Sequence, residues 1–170
     1  FGFLRRPIGL DRQLLERHSD RLVPVSGVRE IAPGVHLLTE IESNHPLPRG
    51  NRRLYVKRGG RLERDGFEHE LMMVVREGDE MVVLSGCSHH GVLNMLDSAA
   101  AAFPDAPITT LVGGFHLIGP GIEGGIPLHG IKENLENHPM IRQVSIQRKL
   151  PDTLRMQCSR ALPQTGQSHR

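Results

Sequence analysis

The most regular hydrophobic pattern of this chain lies between residues 71 and 112. Residues 71–75 and 81–84 are short apolar runs separated by Glu77, Gly78 and Asp79, residue types that favour a tight turn, and this pattern predicts a hairpin. Val92, Leu96, Ala99 and Phe103 then recur at helical spacing up to Pro104, so a helix is predicted to end there. The β-branched run at residues 108–112 reads as a further buried strand. Strand, helix and strand in this order form a crossover between parallel strands, which brings the residues following each strand to one edge of the sheet.

The pattern is weaker on both sides of this core. Residues 10–18 suit a short exposed helix, and Pro24, Pro33 and Gly34 break the neighbouring stretch into brief extended pieces around Val23 and residues 35–39. Residues 42–66 contain seven Arg or Lys residues and no sustained apolar period, which predicts a loop with a strand at 54–56. Gly121, Gly124, Gly125 and Pro127 mark a breaker-rich loop, followed by a predicted helix over 131–137 and a strand over 144–146. Residues 155–170 are polar and aperiodic and read as a tail without fixed structure.

Composition narrows the class without naming a function. With 170 residues and 38% hydrophobic content, the chain can bury the core of one domain. A net charge of +2 gives no reason to expect a nucleic-acid partner. Two cysteines are too few for a disulfide-stapled secreted scaffold, and a cytoplasmic setting is expected. The chain opens on Phe1 with neither a basic stretch nor a long apolar run behind it, so we expect no signal peptide and no membrane association, and a start that is cut rather than processed. With no Trp and one Tyr, stacking of bases or sugars is a poor expectation, whereas a site made of histidines is unaffected.

The chemistry is concentrated at the ends of the two buried strands. Leu84, Gly86 and His89 follow one strand, and Leu111, Gly113 and His116 follow the other at the same offsets, so each strand ends in Gly-x-x-His. A glycine permits the sharp turn, and the histidine three residues on is presented at the carboxyl edge of the sheet. Neutral imidazole is a favoured ligand of zinc and iron, and two of them on adjacent strand ends make a partial metal site. Catalytic zinc takes three protein ligands and an open position, and this pair provides two. Taken alone, a histidine after a strand is more often a hydrogen-bonded surface residue, and both readings stand at this level.

Gly86-Cys87-Ser88-His89-His90-Gly91-Val92-Leu93-Asn94 and Gly113-Gly114-Phe115-His116-Leu117 resemble two signatures of one branch of the metallo-β-lactamase superfamily. That branch is a group of metal-dependent hydrolases that includes ribofuranosylaminobenzene phosphate synthases of pterin-type cofactor biosynthesis. Ile31-Ala32-Pro33-Gly34-Val35 through Glu40, and Phe67-Glu68-His69-Glu70-Leu71, also resemble segments that precede these turns, so the similarity runs in order over roughly residues 7 to 118. The resemblance implies an α/β fold, the later half of a four-layered αββα sandwich, with residues 1–154 as an incomplete domain and 155–170 as the tail. It also implies His89 as a metal ligand, His116 as a ligand or close neighbour of the metal, and Cys87 and Ser88 as turn-shaping or supporting residues. The cofactor implied is zinc or another divalent ion, one or two of them in a complete protein.

The sequence departs from the branch in two places. The superfamily's His-x-His-x-Asp-His run, which holds most of the metal shell, is absent, and so is a later His-Cys-Thr-Gly turn; His129, His138 and His169 stand in unrelated contexts. We therefore expect a chain truncated at its beginning, with a reading-frame change as one account of its polar end. Glu70 is a candidate to orient a ligating imidazole through its second ring nitrogen, against the simpler reading of a solvated hairpin end. The basic stretch from Arg49 to Arg64 can meet a substrate phosphate, but Glu63 and Asp65 intervene and a solvated loop is the favoured reading. A structural zinc site from Cys87, His89, Cys158 and His169 lacks the paired short spacings that mark such sites. The implied function is hydrolysis of a small-molecule substrate by a metal-activated water. The alternatives are a catalytically silent fragment or binding module, and a nuclease of the same superfold. A half sandwich leaves apolar sheet surface uncovered, so self-association is expected.

Overall fold

The structure, a computed structural model, describes residues 9, 11–114, 132, 135, 136, 143–149 and 153–159. Its framework is a seven-stranded sheet. In chain order the strands are β1 (Val28–Ala32), β2 (Val35–Leu38), β5 (Met72–Glu77), β6 (Glu80–Ser85), β7 (Ile108–Gly113), β8 (Gln143–Lys149) and β9 (Thr153–Ser159). Their spatial order is β1-β2-β5-β6-β7-β9-β8, and β3 (Tyr55–Arg58) with β4 (Arg61–Arg64) forms a separate two-stranded ribbon. Helix α1 (Arg12–Arg17) is exposed, and α2 (Val92–Ala102) connects β6 to β7.

The expected hairpin is β5–β6, turned at Gly78 and Asp79, and the expected crossover is β6–α2–β7 with β6 and β7 parallel. Register explains where the core lies. Met72, Val74, Met81, Val83 and Leu111 face the same way and are buried with Met95, Leu96 and Ala99 of α2. The alternate residues Met73, Val75, Val82 and Val112 are half-buried, and Leu84 is 36% exposed. Both faces of the central strands are apolar, and within the described residues α2 covers one of them.

The structure departs from the pattern-based expectation at three elements. Val23 lies outside any strand, and the edge strand is β1 instead. The stretch read mostly as loop contains a 3-10 helix over Arg49–Arg53 and the β3–β4 ribbon, in which β3 overlaps the strand expected at 54–56 and β4 was not expected. This ribbon turns on Gly59 and Gly60, both at positive φ, and seven of its eight strand residues are exposed, so there was no apolar face to detect. Residues 155–159, read as part of the tail, belong to β9, which pairs with β7 and β8; residues 160–170 lie outside the described residues. Of the helix expected over 131–137, Lys132, Leu135 and Glu136 are described and helical. No helix among the described residues is long and apolar enough to cross a membrane.

The β1–β2 turn shows how closely the sheet is fitted. Gly34 has φ +73°, and a Cβ there would lie 2.8 Å from the Arg76 carbonyl oxygen. The approach is enforced by the Arg76 N–H, which donates to the Gly34 carbonyl at 2.7 Å. Gly34→Ala is expected to cost about 2–4 kcal/mol, combining left-handed strain with backbone overlap. It should appear as a lower urea midpoint at unchanged slope.

Candidate functional site

At the end of β6 the chain turns through residues 86–91 into α2. The turn is not made at Gly86, whose φ is unremarkable; the left-handed positions are Ser88 at φ 56° and Gly91 at φ 90°. Ser88 is fully buried, and its hydroxyl lies 2.8 Å from that of Ser85. Because the Ser85 hydroxyl donates to the Met95 sulfur at 2.9 Å, Ser88 must be the donor to Ser85. The glycine requirement instead falls at the neighbouring strand end. The Gly114 N–H donates to the Gly86 carbonyl at 2.7 Å, and a Cβ on Gly114 would stand 3.1 Å from that oxygen. The two Gly-x-x-His turns thus begin side by side and joined by a hydrogen bond.

His89 is held on several sides. Its backbone N–H donates to Glu70 Oε1 at 2.7 Å, and its carbonyl accepts from Asn51 Nδ2 at 2.6 Å. The other end of the Asn51 amide, Oδ1, lies 3.0 Å from His89 Nδ1. The Phe67 ring stacks on the imidazole with centroids 4.3 Å apart and planes 6° from parallel. Phe67 is 3% exposed and sits at φ 57°, a strained position for a bulky residue. Asp65 Oδ1 accepts from the Phe67 N–H at 2.8 Å, and the Phe67 carbonyl accepts from the Glu70 N–H at 2.8 Å, which fastens the strained residue on both sides.

Glu70, 9% exposed, uses both carboxylate oxygens: Oε1 on the His89 N–H, and Oε2 on the His90 N–H and His90 Nδ1, the latter two at 2.8 Å each. The ring that Glu70 orients is therefore that of His90, and the His89 ring is met by Asn51. Further down, fully buried Asn94 of α2 donates to the carbonyls of His90 and His45 and accepts the His45 N–H at 2.7 Å. Ser98 of α2 accepts the Glu42 N–H at 2.9 Å, and His45 Nε2 meets Asp97 at 2.9 Å. These contacts fasten the 42–48 segment across α2 and so deliver the following 3-10 helix, with Asn51 on its inner side, to His89.

The other sequence candidates separate. Cys87 is exposed, and Glu68 is exposed and paired with Arg58, whose guanidinium this hydrogen bond and charge hold above the ordinary arginine value. Arg49, Arg52 and Arg53 are exposed on the 3-10 helix that carries Asn51. His116, His129, His138 and His169 lie outside the described residues, and Cys158 falls on β9. Among the described residues no group of three His, Cys, Asp or Glu side chains could hold a metal ion. Sequence reasoning missed three residues around His89: Asn51, the stacking role of Phe67, and His90 as the partner of Glu70. The adjacent His89-His90 pair was the available signal for the last.

The chain is similar to known proteins over part of its length. No protein-family model matches the sequence. The chain is 29% identical over 91 residues to 7,8-dihydropterin-6-methyl-4-(β-D-ribofuranosyl)-aminobenzene-5'-phosphate synthase of Methanocaldococcus jannaschii, a match covering 52% of this chain and 31% of that protein. Its structure matches the crystal structure of a metal-dependent hydrolase of the β-lactamase superfamily with a TM-score of 0.55 and 31% identity, over 66% of this chain and 42% of that one. The chain thus spans about a third of the curated relative and 42% of the solved structure. The fold is a partial metallo-β-lactamase α/β fold, and both relatives fall in the branch that the two glycine-histidine turns resemble.

Proposed function

We propose that this chain contributes part of the active site of a metal-dependent hydrolase, with His89 as a metal ligand and His116 as the second ligand or a close neighbour. The observation that carries the reading is the Asn51 side chain set against the His89 ring, with Oδ1 3.0 Å from Nδ1. Asn51 presents an oxygen to Nδ1, so Nδ1 carries the hydrogen and the imidazole lone pair lies on Nε2, one of the two nitrogens through which a neutral histidine ligates a metal. His89 fits one ligand position, and the remaining ligands come from residues beyond those described. The ion, zinc or another divalent metal, would supply acidity to a water molecule and polarise a substrate oxygen. The residues of this chain hold the ligand still and supply charge beside it. Arg49, Arg52 and Arg53 lie on the 3-10 helix that also carries Asn51, which supports a small phosphate-bearing substrate, since guanidinium groups bind phosphate in a bidentate manner. Glu70 and the Ser88 turn act by fixing the backbone of His89, and Cys87 shapes that turn from its outer side.

Metal analysis of the purified chain by mass spectrometry tests the reading. A stoichiometric divalent metal that is lost in His89→Ala is expected. A metal-free chain whose stability is unchanged by chelator would support the catalytically silent reading instead.

A further inference from the structure

The identity of the two Asn51 side-chain atoms that face His89 can be assigned from hydrogen-bond chemistry. The His89 carbonyl oxygen can only accept, so the end of the Asn51 side chain 2.6 Å from it must be the NH2 group. The opposite end, 3.0 Å from Nδ1, is then the amide oxygen, which also only accepts. Nδ1 must donate, although an unconstrained neutral histidine side chain favours hydrogen on Nε2. One asparagine thereby holds both the main chain and the ring of the same residue. Phe67 sets the remaining freedom, rotation of the ring about its bond to Cβ, by lying parallel to it at 4.3 Å. Strain marks the same place. Phe67 and Ser88 are the non-glycine residues at positive φ among those described, and they are respectively stacked on His89 and adjacent to it in sequence. Such strain persists where the surroundings over-determine a geometry, and it gathers at functional sites.

We propose that Asn51 and Phe67 are positioning residues that lock His89 in the Nδ1–H tautomer and in one ring plane, so that the lone pair of the ring lies on Nε2. The assignment deepens the metal-ligand reading above and rests on it for its purpose. The tautomer itself exists without any metal. Fixing a ligand before the ion arrives removes the cost of sorting two tautomers and several ring orientations at binding, and loss of such support typically weakens metal binding about 10–100-fold.

The test is the imidazole nitrogen spectrum of the full chain in chelator, at a pH where the ring is neutral, with the His89 signals assigned by their loss in His89→Gln. A protonated-type Nδ1 and an unprotonated-type Nε2 are expected in the wild type. Asn51→Ala should move the ring to predominantly Nε2–H. Phe67→Leu should leave the tautomer in place and abolish the ring-current shift of the His89 carbon-bound protons. A wild-type ring with hydrogen on Nε2, or an Asn51→Ala ring that stays Nδ1–H, would overturn the proposal. If Asn51→Ala does not fold, the wild-type spectrum still decides the tautomer. A chain that shows the Nδ1–H tautomer yet never binds metal upholds this assignment while removing the function proposed above.

Discussion

Replacing Glu70 with Ala is expected to lower the stability of this chain by about 3–5 kcal/mol, far more than the removal of a hairpin-end carboxylate would ordinarily cost. The reason is the number of donors that converge on one buried group. The N–H groups of His89 and His90 and the Nδ1 of His90 all end on its two oxygens at 2.7–2.8 Å. Each buried donor left without an acceptor costs roughly 1–3 kcal/mol. Some of this is recovered if water enters the space, so the lower part of the summed range is the expected one. Glu70→Gln should fall between Ala and wild type, because an amide offers one acceptor oxygen where three donors need two, and its NH2 faces a donor on the other side. Urea unfolding followed by circular dichroism measures both variants. A loss below about 1 kcal/mol for Glu70→Ala would show that these donors find other partners and that Glu70 is no anchor of the turn.

How far the fold and the site were legible in the sequence depended on the range over which each signal acts. Hairpin β5–β6 and crossover β6–α2–β7 are local: their apolar periods and the Gly78-Asp79 turn are contained in the segment they describe. The pairing of the two Gly-x-x-His turns comes from the parallel register, and the Gly114–Gly86 hydrogen bond is its direct expression. The site around His89 was only half legible, because its partners lie 19 and 38 residues away, on an extended corner and a 3-10 helix with no periodicity. Nothing in the sequence around Asn51 distinguishes it from a polar loop residue. It becomes a partner of His89 only once Asn94 and Ser98 have fastened the preceding segment across α2. The ribbon β3–β4 was legible only in its first strand, expected at 54–56 and found at Tyr55–Arg58, for a different reason. Its strand residues are almost all solvated, so the apolar alternation that reveals strands was missing, while Gly59-Gly60, a two-residue turn with both φ positive, was the signal that remained.

The two faces of the central sheet should respond very differently to the same truncation. Leu111 of β7 is fully buried beneath α2, and Leu111→Ala is expected to cost about 2–5 kcal/mol, since it removes apolar burial and leaves a cavity between helix and sheet. Leu84 of β6 belongs to the opposite face, paired with Met73 and Val112, and is 36% exposed, so Leu84→Ala is expected to cost less than about 1.5 kcal/mol. Equilibrium urea unfolding of both variants at several protein concentrations checks the contrast. Equal losses, or a Leu84→Ala loss that grows with concentration, would mean that the second face is covered in solution. The comparison bears on the site as well as on stability, because β6 and β7 carry the two glycine-histidine turns at their ends. A cavity under Leu111 loosens the parallel pair that holds Gly86 against Gly114, whereas trimming Leu84 leaves the α2 side of that pair packed. Leu111→Ala should therefore also speed exchange of the Gly114 amide with solvent, and Leu84→Ala should leave it near the wild-type rate.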